Sequence, residues 1–576
     1  VPASWLLLGE LPLGPNGKVD RKALPEPDAQ SAQRSYSAPV TDAERTLGSI
    51  WQALLRVERV GLDDDFFELG GDSIVALQLV GRAKRAGLAL APRAVFEHST
   101  LGALARVSTR LDAVVAASGP ELAPAGNEPS GEVPLLPIQH WFFEQSFENK
   151  HHWNQSALLA VPLGLDLDAL DRALAAVAAH HPAFRLRFRK TDRGYCQYYG
   201  PAVATRLEPC DLSQEPDPVA ALERESNRVQ RGLDLERGPL ARFVLFSWAG
   251  ERRVLVVMHH LISDTVSWRI LFEDWREAYA ALRRGEPVQL EPVPTSYQRW
   301  SRLVHEHAQS PALRNELGYW QKVLGGERPS LPARDPEGDN RVKSTRSVSI
   351  TLNEPTTHAL LHRAPRHFGT QINDLLLSAL ALTLCRWSGH SSLLVELEGH
   401  GRENLFDGVD LSRTVGWFTS PQMVRLEPVP GDLPASIRAV RTQLRRAPHH
   451  GLGYAITRYL TEPGQAMAAL PFPQVFFNYL GQFDQLFEDP DWLAPAGEPR
   501  GDERCPDSPE DAWFGAGGVV HGGRLRLDFR YSVAIHDEAT ARELVAEFAA
   551  LLREIVRLCA PSAAASAPGA SPIGAE

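Results

Sequence analysis

The chain has 576 residues, enough for three or four domain-sized units at about 150 residues each. Its 71 acidic against 60 basic residues give a net charge of −11, which argues against a general nucleic-acid binder. Five scattered cysteines without CxxC spacing read as reduced thiols, no run approaches the roughly 18 apolar residues that span a membrane, and the start lacks signal-peptide organisation. A soluble, cytoplasmic protein without a membrane or nucleic-acid partner is therefore expected.

The first distinctive segment is Leu11-Pro12-Leu13-Gly14-Pro15-Asn16-Gly17-Lys18-Val19-Asp20-Arg21-Lys22-Ala23-Leu24-Pro25. Thr41 to Glu44 then fits a capping box, and Leu47, Ile50, Trp51, Leu54 and Leu55 recur at three- and four-residue spacing, which makes one buried helix face. A loop through Gly61, Asp63 and Asp65 leads to Leu69-Gly70-Gly71-Asp72-Ser73-Ile74. Ser73 opens a helical run through Ile74, Leu77 and Val80, so its hydroxyl should stand at a helix N-terminus, where backbone N–H groups favour a phosphate. Taken alone, an ordinary helix cap is the simpler account of Ser73. Gly87 supplies a stop, and Ser99 or Thr100 opens a last short helix with Leu101, Leu104 and Val107.

These residues resemble two parts of nonribosomal peptide synthetases. Residues 1 to 34 look like the closing segment of an adenylation domain, with Lys18 at the position that contacts the acyl adenylate; without the rest of that domain Lys18 should be idle. Residues 38 to 107 resemble a peptidyl carrier protein, a small helical bundle. The resemblance implies phosphopantetheine carried covalently on Ser73, holding an aminoacyl or peptidyl group as a thioester. It also implies three partners: an adenylation domain upstream, a downstream condensation domain or module, and a phosphopantetheinyl transferase.

Residues 108 to 132 and 560 to 576 drift into Ala, Ser, Gly and Pro and read as a linker and a flexible tail. Between them, residues 133 to 559 mix helical spacing, as in Leu167 to Val177, with alternation, as in Phe184, Leu186 and Phe188, so the block is α/β. Its most chemical stretch is His259-His260-Leu261-Ile262-Ser263-Asp264-Thr265-Val266-Ser267-Trp268. The apolar run Val254 to Met258 predicts a buried strand that ends at the two histidines, and a helix should follow Asp264. The Asp264 carboxylate either caps that helix or fixes an imidazole tautomer, with a structural role favoured. His-His pairs also occur at 151, 180 and 449, and no HExxH helix or Cys/His cluster accompanies any of them, so no metal is expected.

The stretch 259 to 268 resembles the HHxxxD motif of the condensation superfamily, whose fold is two chloramphenicol-acetyltransferase-like α/β lobes meeting at a channel. The expected lobes are about 133–315 and about 316–559. Within that superfamily, Pro137 to Phe142, Asn373 to Ala379, Glu398-Gly399-His400-Gly401-Arg402-Glu403, Arg413 to Thr419, Pro448 to Tyr454 and Phe477-Asn478-Tyr479-Leu480-Gly481-Gln482 look like epimerization-domain signatures in order. Thr265, Pro421-Gln422-Met423 and Ala455 depart from the usual pattern, and the change at 421 to 423 bears on local channel geometry. The implied activity is conversion of an L-aminoacyl or L-peptidyl thioester to its D form, through an enolate, within antibiotic-type secondary metabolism. Condensation, or a non-catalytic interaction with the carrier, are the alternatives.

Inverting an α-carbon needs one group to remove the proton and another to return it from the opposite face. Imidazole, with an ordinary pKa of about 6.5, and a carboxylate raised by burial suit that task. The candidates are His260 and Glu398, the latter at the end of the predicted strand Leu393 to Leu397. Glu396 shares its period-two facing, so strand geometry does not choose between them; the resemblance chooses Glu398. His259 and Asp264 are expected to support the site. N–H groups at the helix start after Asp264 or the side chains of Asn478 and Tyr479 would stabilise the enolate oxygen, with ordering of the lobe interface the alternative for Asn478 and Tyr479. Arg413, Trp417 and Phe418 are read as packing or crossover-loop residues.

Overall fold

The computed structural model describes residues 36–71, 73–110, 129–326, 330–403, 405–470, 473–482, 487, 489–510 and 512–559. The expected adenylation tail with Lys18, the middle of the linker and the tail after 559 lie outside the described residues. Thr41 caps the helix Asp42–Leu55 through the capping box: its hydroxyl accepts from Glu44 N at 3.2 Å, and the Glu44 carboxylate accepts from Thr41 N at 2.8 Å. Helices Ser73–Arg85, Pro92–Glu97 and Leu101–Val107 complete a bundle around Leu47, Trp51, Phe66, Leu79, Val95 and Leu104. Strand β1 (Leu88–Ala89) pairs antiparallel with β2 (Thr109–Arg110), so the start of the expected linker is tied back to the bundle.

The rest of the described chain forms two lobes, each built on its own sheet. In the first, β3 (Gly131–Val133), β5 (Leu186–Thr191) and β6 (Gly194–Tyr199) form a small sheet in the order β3-β6-β5. Beside it, β4 (Asn154–Ala160), β7 (Leu207–Asp211), β8 (Ala241–Trp248), β9 (Glu251–His259) and β14 (Ala494–Pro495) form a sheet ordered β14-β4-β9-β8-β7. The continuous apolar run of β9 reflects burial on both faces. Val254, Val256 and Met258 meet the core under the helices Leu167–His180 and Thr265–Arg283, while Leu255 and Val257 pack against Ala221, Leu222 and Val229 of the helix Pro218–Gln230. Phe184 falls in a 3-10 turn, Pro182–Arg185, and the strand starts at Leu186: a proline that fixes φ and lacks an N–H favours the turn over the ladder.

The second lobe carries β10 (Thr345–Thr351), β11 (Leu393–Gly399), β12 (Ser420–Leu426), β13 (Val475–Gln482), β15 (Phe514–His521) and β16 (Arg524–Ser532), ordered β10-β16-β15-β13-β11-β12. One sheet face packs on the helices Ile372–Ser388 and Glu538–Leu558. The former is apolar nearly all round because it is enclosed nearly all round. Together with Glu354–Phe368 it reaches membrane-like length and apolarity only as a pair bent by 92°, and among the described residues no single helix is long and apolar enough to cross a membrane.

Sequence from the second half interlocks the lobes. Leu411, Val415, Trp417 and Phe418 belong to the first lobe's core, and β14 adds an edge to the first lobe's sheet. Next to that edge, Asn154 N donates to Glu503 O at 2.8 Å and Cys505 N to His152 O at 3.2 Å. The helix Pro311–Leu324 runs through the expected boundary at 316 and packs Trp320 against Met423 and Tyr454 of the second half.

Candidate active site

β9 ends at His259, as its apolar run predicts, and His260 begins a 3-10 turn, so the two histidines diverge. His259 is fully buried: its Nε2 bonds Lys150 O at 2.8 Å and its Nδ1 accepts from Leu261 N at 3.1 Å. Burial pushes its pKa down to about 3, and with both nitrogens occupied it shapes the turn. His260 instead lines the interlobe cavity, with Trp417 stacked obliquely at 4.4 Å between ring centres. Its Nδ1–H donates to Ser263 O at 2.9 Å, which leaves Nε2 as the acceptor and fixes the tautomer. Burial lowers the His260 pKa to about 4, with Arg504 adding to the depression, so the ring is neutral at neutral pH.

Asp264 therefore does not set the tautomer. It caps the helix Thr265–Arg283, accepting from Ser267 N at 2.7 Å, and its carboxylate faces the other lobe. There Arg402 Nη2 donates to both carboxylate oxygens, at 2.9 and 3.1 Å, and Phe418 N donates at 3.1 Å. Arg402 also donates to Leu411 O at 3.0 Å and Thr414 O at 2.6 Å, and its guanidinium lies 4.0 Å from the Phe418 ring centre. This buried pair ties the HHxxxD turn to the segment after Glu398. The Ser267 N–H at the helix start is occupied by Asp264 and is not free for a substrate oxygen.

Glu398 comes from the second lobe. On one face of its sheet, β11, β13, β15 and β16 place Glu398, Asn478, Gly517 and Asp528 toward the cavity in one row, and Glu396, Phe476, Gly515 and Arg530 in the next. Glu396 and Glu398 both face the cavity, as period two requires. Only Glu398 accepts from Asn478 Nδ2 and, at 3.3 Å, from Thr419 Oγ1. Burial pushes its pKa up to about 7, although Thr419 and the positive charges of Arg504 and Arg530 pull the other way. Asn478 orients this carboxylate; Tyr479 points the other way along β13, with its ring packed in the second lobe's core where it borders the second cavity reaching Glu398.

Two cavities meet at Glu398 and Asn478. One, of about 350 Å³, holds His260, Trp141, Trp153 and Trp417 and continues past Arg504 to Arg530 and Trp513. The other, of about 250 Å³, runs past His400, Glu403 and Asn373 to Phe96 of the carrier bundle. The bundle contacts the second half at this mouth. Leu69 O accepts from His362 Nδ1 at 2.7 Å, and Arg93–Asp407 (3.0 Å), Lys84–Asp410 (3.5 Å) and Arg366–Asp64 (3.5 Å) are ion pairs. Gly70 takes φ of 95°, and a Cβ there would stand 2.7 Å from His362 Nδ1, so the first motif glycine serves both the turn and the contact. The helix opening at Ser73 follows this contact, and the second cavity leads from the carrier to Glu398. A flexible arm attached at Ser73 would fit that arrangement.

Three features of the site are not evident from the residues alone. Trp417, read as packing, is the ring against His260. Arg504 lines the cavity with its guanidinium 4.0 Å from the Trp153 ring centre and 3.3 Å from Glu510. His400 and Glu403 face each other at 3.4 Å in the second cavity, where burial moves their pKa values to about 4 and about 8. Arg413 matches the packing role: it pairs with Glu273 at 2.9 Å and with Asp274, which also bonds His181 at 2.7 Å. His180, His181 and Asp274 have metal-ligand proximity, with the Arg413 guanidinium as the resident cation beside them.

Residues 129–565 match the family described as Condensation domain, and residues 45–107 match Phosphopantetheine attachment site. The chain belongs to the condensation-domain family. This carrier–condensation-superfamily pair is 41% identical to part of a linear gramicidin synthase of Brevibacillus parabrevis over 97% of its own length, and 40% identical to chondramide synthase cmdD of Chondromyces crocatus over 99%. It spans only 11% and 15% of those two proteins. Among solved structures, the epimerization domain of the third module of tyrocidine synthetase B superposes with TM-score 0.70 and 33% identity, covering 75% of this chain and 98% of that one. The X-domain from teicoplanin biosynthesis shares the fold, with TM-score 0.58 at 21% identity over 76% of this chain and 97% of that one. The fold is thus the expected helical carrier followed by a two-lobed chloramphenicol-acetyltransferase-like domain of a nonribosomal peptide synthetase, and the carrier's serine bears phosphopantetheine.

Removing one partner of the Asp264–Arg402 pair strands a buried charge. Arg402→Met is expected to cost about 3–5 kcal/mol in denaturant unfolding, and adding Asp264→Asn should recover part of that loss.

Proposed function

We propose that this condensation-superfamily domain epimerises the α-carbon of an acyl thioester carried on Ser73. The observation that carries the reading is Glu398: a carboxyl at the junction of the two cavities, oriented by Asn478 and Thr419, with its pKa raised to about 7 by burial. Such a group is divided between its two protonation states near neutrality, so it can both take an α-proton and give one back. His260 stands on the other lobe's wall of the same cavity with Nε2 open. A thioester entering from the carrier side would have Glu398 on one flank and His260 on the other. Glu398 is the stronger base of the two: as carboxylate it takes the α-proton on its flank. His260 Nε2, protonated from solvent only transiently because burial disfavours the imidazolium, returns a proton to the opposite face, after which Glu398 gives its proton up to solvent.

Charge developing on the thioester oxygen needs donors besides this pair. The Arg504 guanidinium lies where it lowers the pKa of both His260 and Glu398, so its field favours negative charge between them. The likeness to an epimerization domain at 33% identity over 98% of that structure supports the same reaction. The carrier contacts fit a shuttle: exposed ion pairs of this kind contribute about 1 kcal/mol or less each, so the carrier can leave for a downstream partner.

The test loads Ser73 with an L-acyl phosphopantetheine in deuterated water and follows α-deuterium uptake and chirality after release. Exchange and D product are expected, with exchange rising as pH increases through about 7 because Glu398 must be deprotonated to accept the proton. Glu398→Gln should lower exchange by about 10² or more. A condensation reaction would instead show amide formation with a second loaded carrier, no exchange, and indifference to Glu398→Gln.

A further inference from the structure

The larger cavity extends well beyond the space a proton transfer at Glu398 requires. At about 350 Å³ it falls in the range of pockets that enclose drug-sized ligands. Its floor is the second lobe's sheet, and two neighbouring positions on the cavity face of β15 are glycines, Gly515 and Gly517. A side chain at 517 would meet only ordinary contacts, Asn478 O at 3.7 Å and Asp528 O at 4.0 Å, so the fold does not require glycine there. The bare strand leaves room above it instead. At the far side of this bare strip lies Arg530, cross-strand neighbour of Gly515, whose guanidinium would stand 3.3 Å from a Cβ at 515.

Arg530 makes no side-chain hydrogen bond and no ion pair with the described residues, and its guanidinium lines the cavity. The neighbouring carboxylates are already engaged: Glu510 with Arg504 at 3.3 Å, Asp528 with Arg526 at 3.0 Å, and Glu503 with Ser156 Oγ at 2.7 Å. A guanidinium offers five donors and no acceptor, so an enclosed one without partners is a site waiting for oxygen atoms. Because carboxylates already crowd this cavity, neutral carbonyl oxygens suit it better than a further anion.

Distance decides which acyl group brings those carbonyls. β16 lies three strand positions from β11, in the order β16-β15-β13-β11, which puts the Arg530 backbone about 14 Å from the Glu398 strand, with the guanidinium reaching back over Gly515. One residue of extended chain covers about 3.3–3.6 Å. A single aminoacyl group with its α-carbon at Glu398 stops short of the guanidinium; a chain of two or three residues reaches it and brings amide carbonyls.

Resting on the epimerase reading for its reacting centre, we infer that the cavity takes a peptidyl thioester in preference to a single aminoacyl one, with Arg530 anchoring upstream carbonyls above the Gly515–Gly517 strip. Arg530 is a binding residue for the acyl chain, not a proton-transfer group.

The test uses the full chain with two readouts. The first is the Kd of the unloaded protein for pantetheine amides bearing one L-residue or an L,L-tripeptide; the second is α-deuterium exchange of the same acyl groups loaded on Ser73. The expected result is tripeptidyl binding and exchange about tenfold or more above aminoacyl. Arg530→Gln and Gly517→Val should each remove that preference in Kd while leaving the aminoacyl Kd and the melting temperature unchanged, and Arg530→Lys should restore part of it. The exchange of each variant is read as the tripeptidyl-to-aminoacyl ratio because the Arg530 charge also acts on Glu398. Equal Kd values for the two ligands in the wild type, or a preference that survives Arg530→Gln, would overturn the inference. Binding preference with no exchange of either substrate would support this acyl cavity and sink the epimerase reading alone.

Discussion

The buried ion pair between Asp264 and Arg402 is the constraint on which the rest of the site depends. A carboxylate at a helix start in the first lobe meets a guanidinium four residues after Glu398 in the second, and both satisfy backbone groups of the 411–418 segment, Arg402 donating to Leu411 O and Thr414 O and Asp264 accepting from Phe418 N. Taking both ions out of water is costly, and that cost is offset here by a nearly complete set of hydrogen bonds. The consequence is geometric. With the HHxxxD turn and the strand end of Glu398 fastened to one another, His260 and Glu398 face one cavity although they belong to different sheets.

Enclosure then separates the chemistry of the two groups. Burial disfavours whichever form is charged, so it lowers an imidazole and raises a carboxyl. His260 moves to about 4 and Glu398 to about 7, which leaves a neutral ring opposite a carboxyl balanced between its two states. The same enclosure makes the route in narrow: a second cavity from Phe96 of the carrier to Glu398, held at its mouth by a few polar contacts. Tight at the chemistry and weak at the carrier is a sensible division for a unit that must react with its cargo and then release the carrier.

Much of this was legible in the sequence because it is written in local pattern. The capping box at Thr41, the apolar run that ends at His259, the cap at Asp264 and the strand of Glu398 all follow from spacing and residue chemistry. The resemblance supplied the choice of Glu398 over Glu396, and the structure adds a physical reason: only Glu398 meets Asn478 and Thr419, contributed by β13 and by the segment leading into β12. What stayed hidden depends on contacts remote in the chain. Nothing near Ser263 signals that its carbonyl, and not Asp264, fixes the His260 tautomer. Arg504 enters the cavity from a segment about 240 residues further along, and Arg530 matters only because β15 beside it is bare at Gly515. Phe184 shows the limit of alternation, where Pro182 imposes a turn on a pattern that reads as strand.

The central claim is that enclosure between the lobes sets Glu398 near neutrality. Infrared difference spectra between the wild type and Glu398→Gln, recorded across a pH series, isolate the protonated carboxyl band of this one residue. The account predicts that the band persists below neutrality and disappears with a midpoint near 7. Loss of the band near the ordinary carboxyl value of about 4.3 would contradict it.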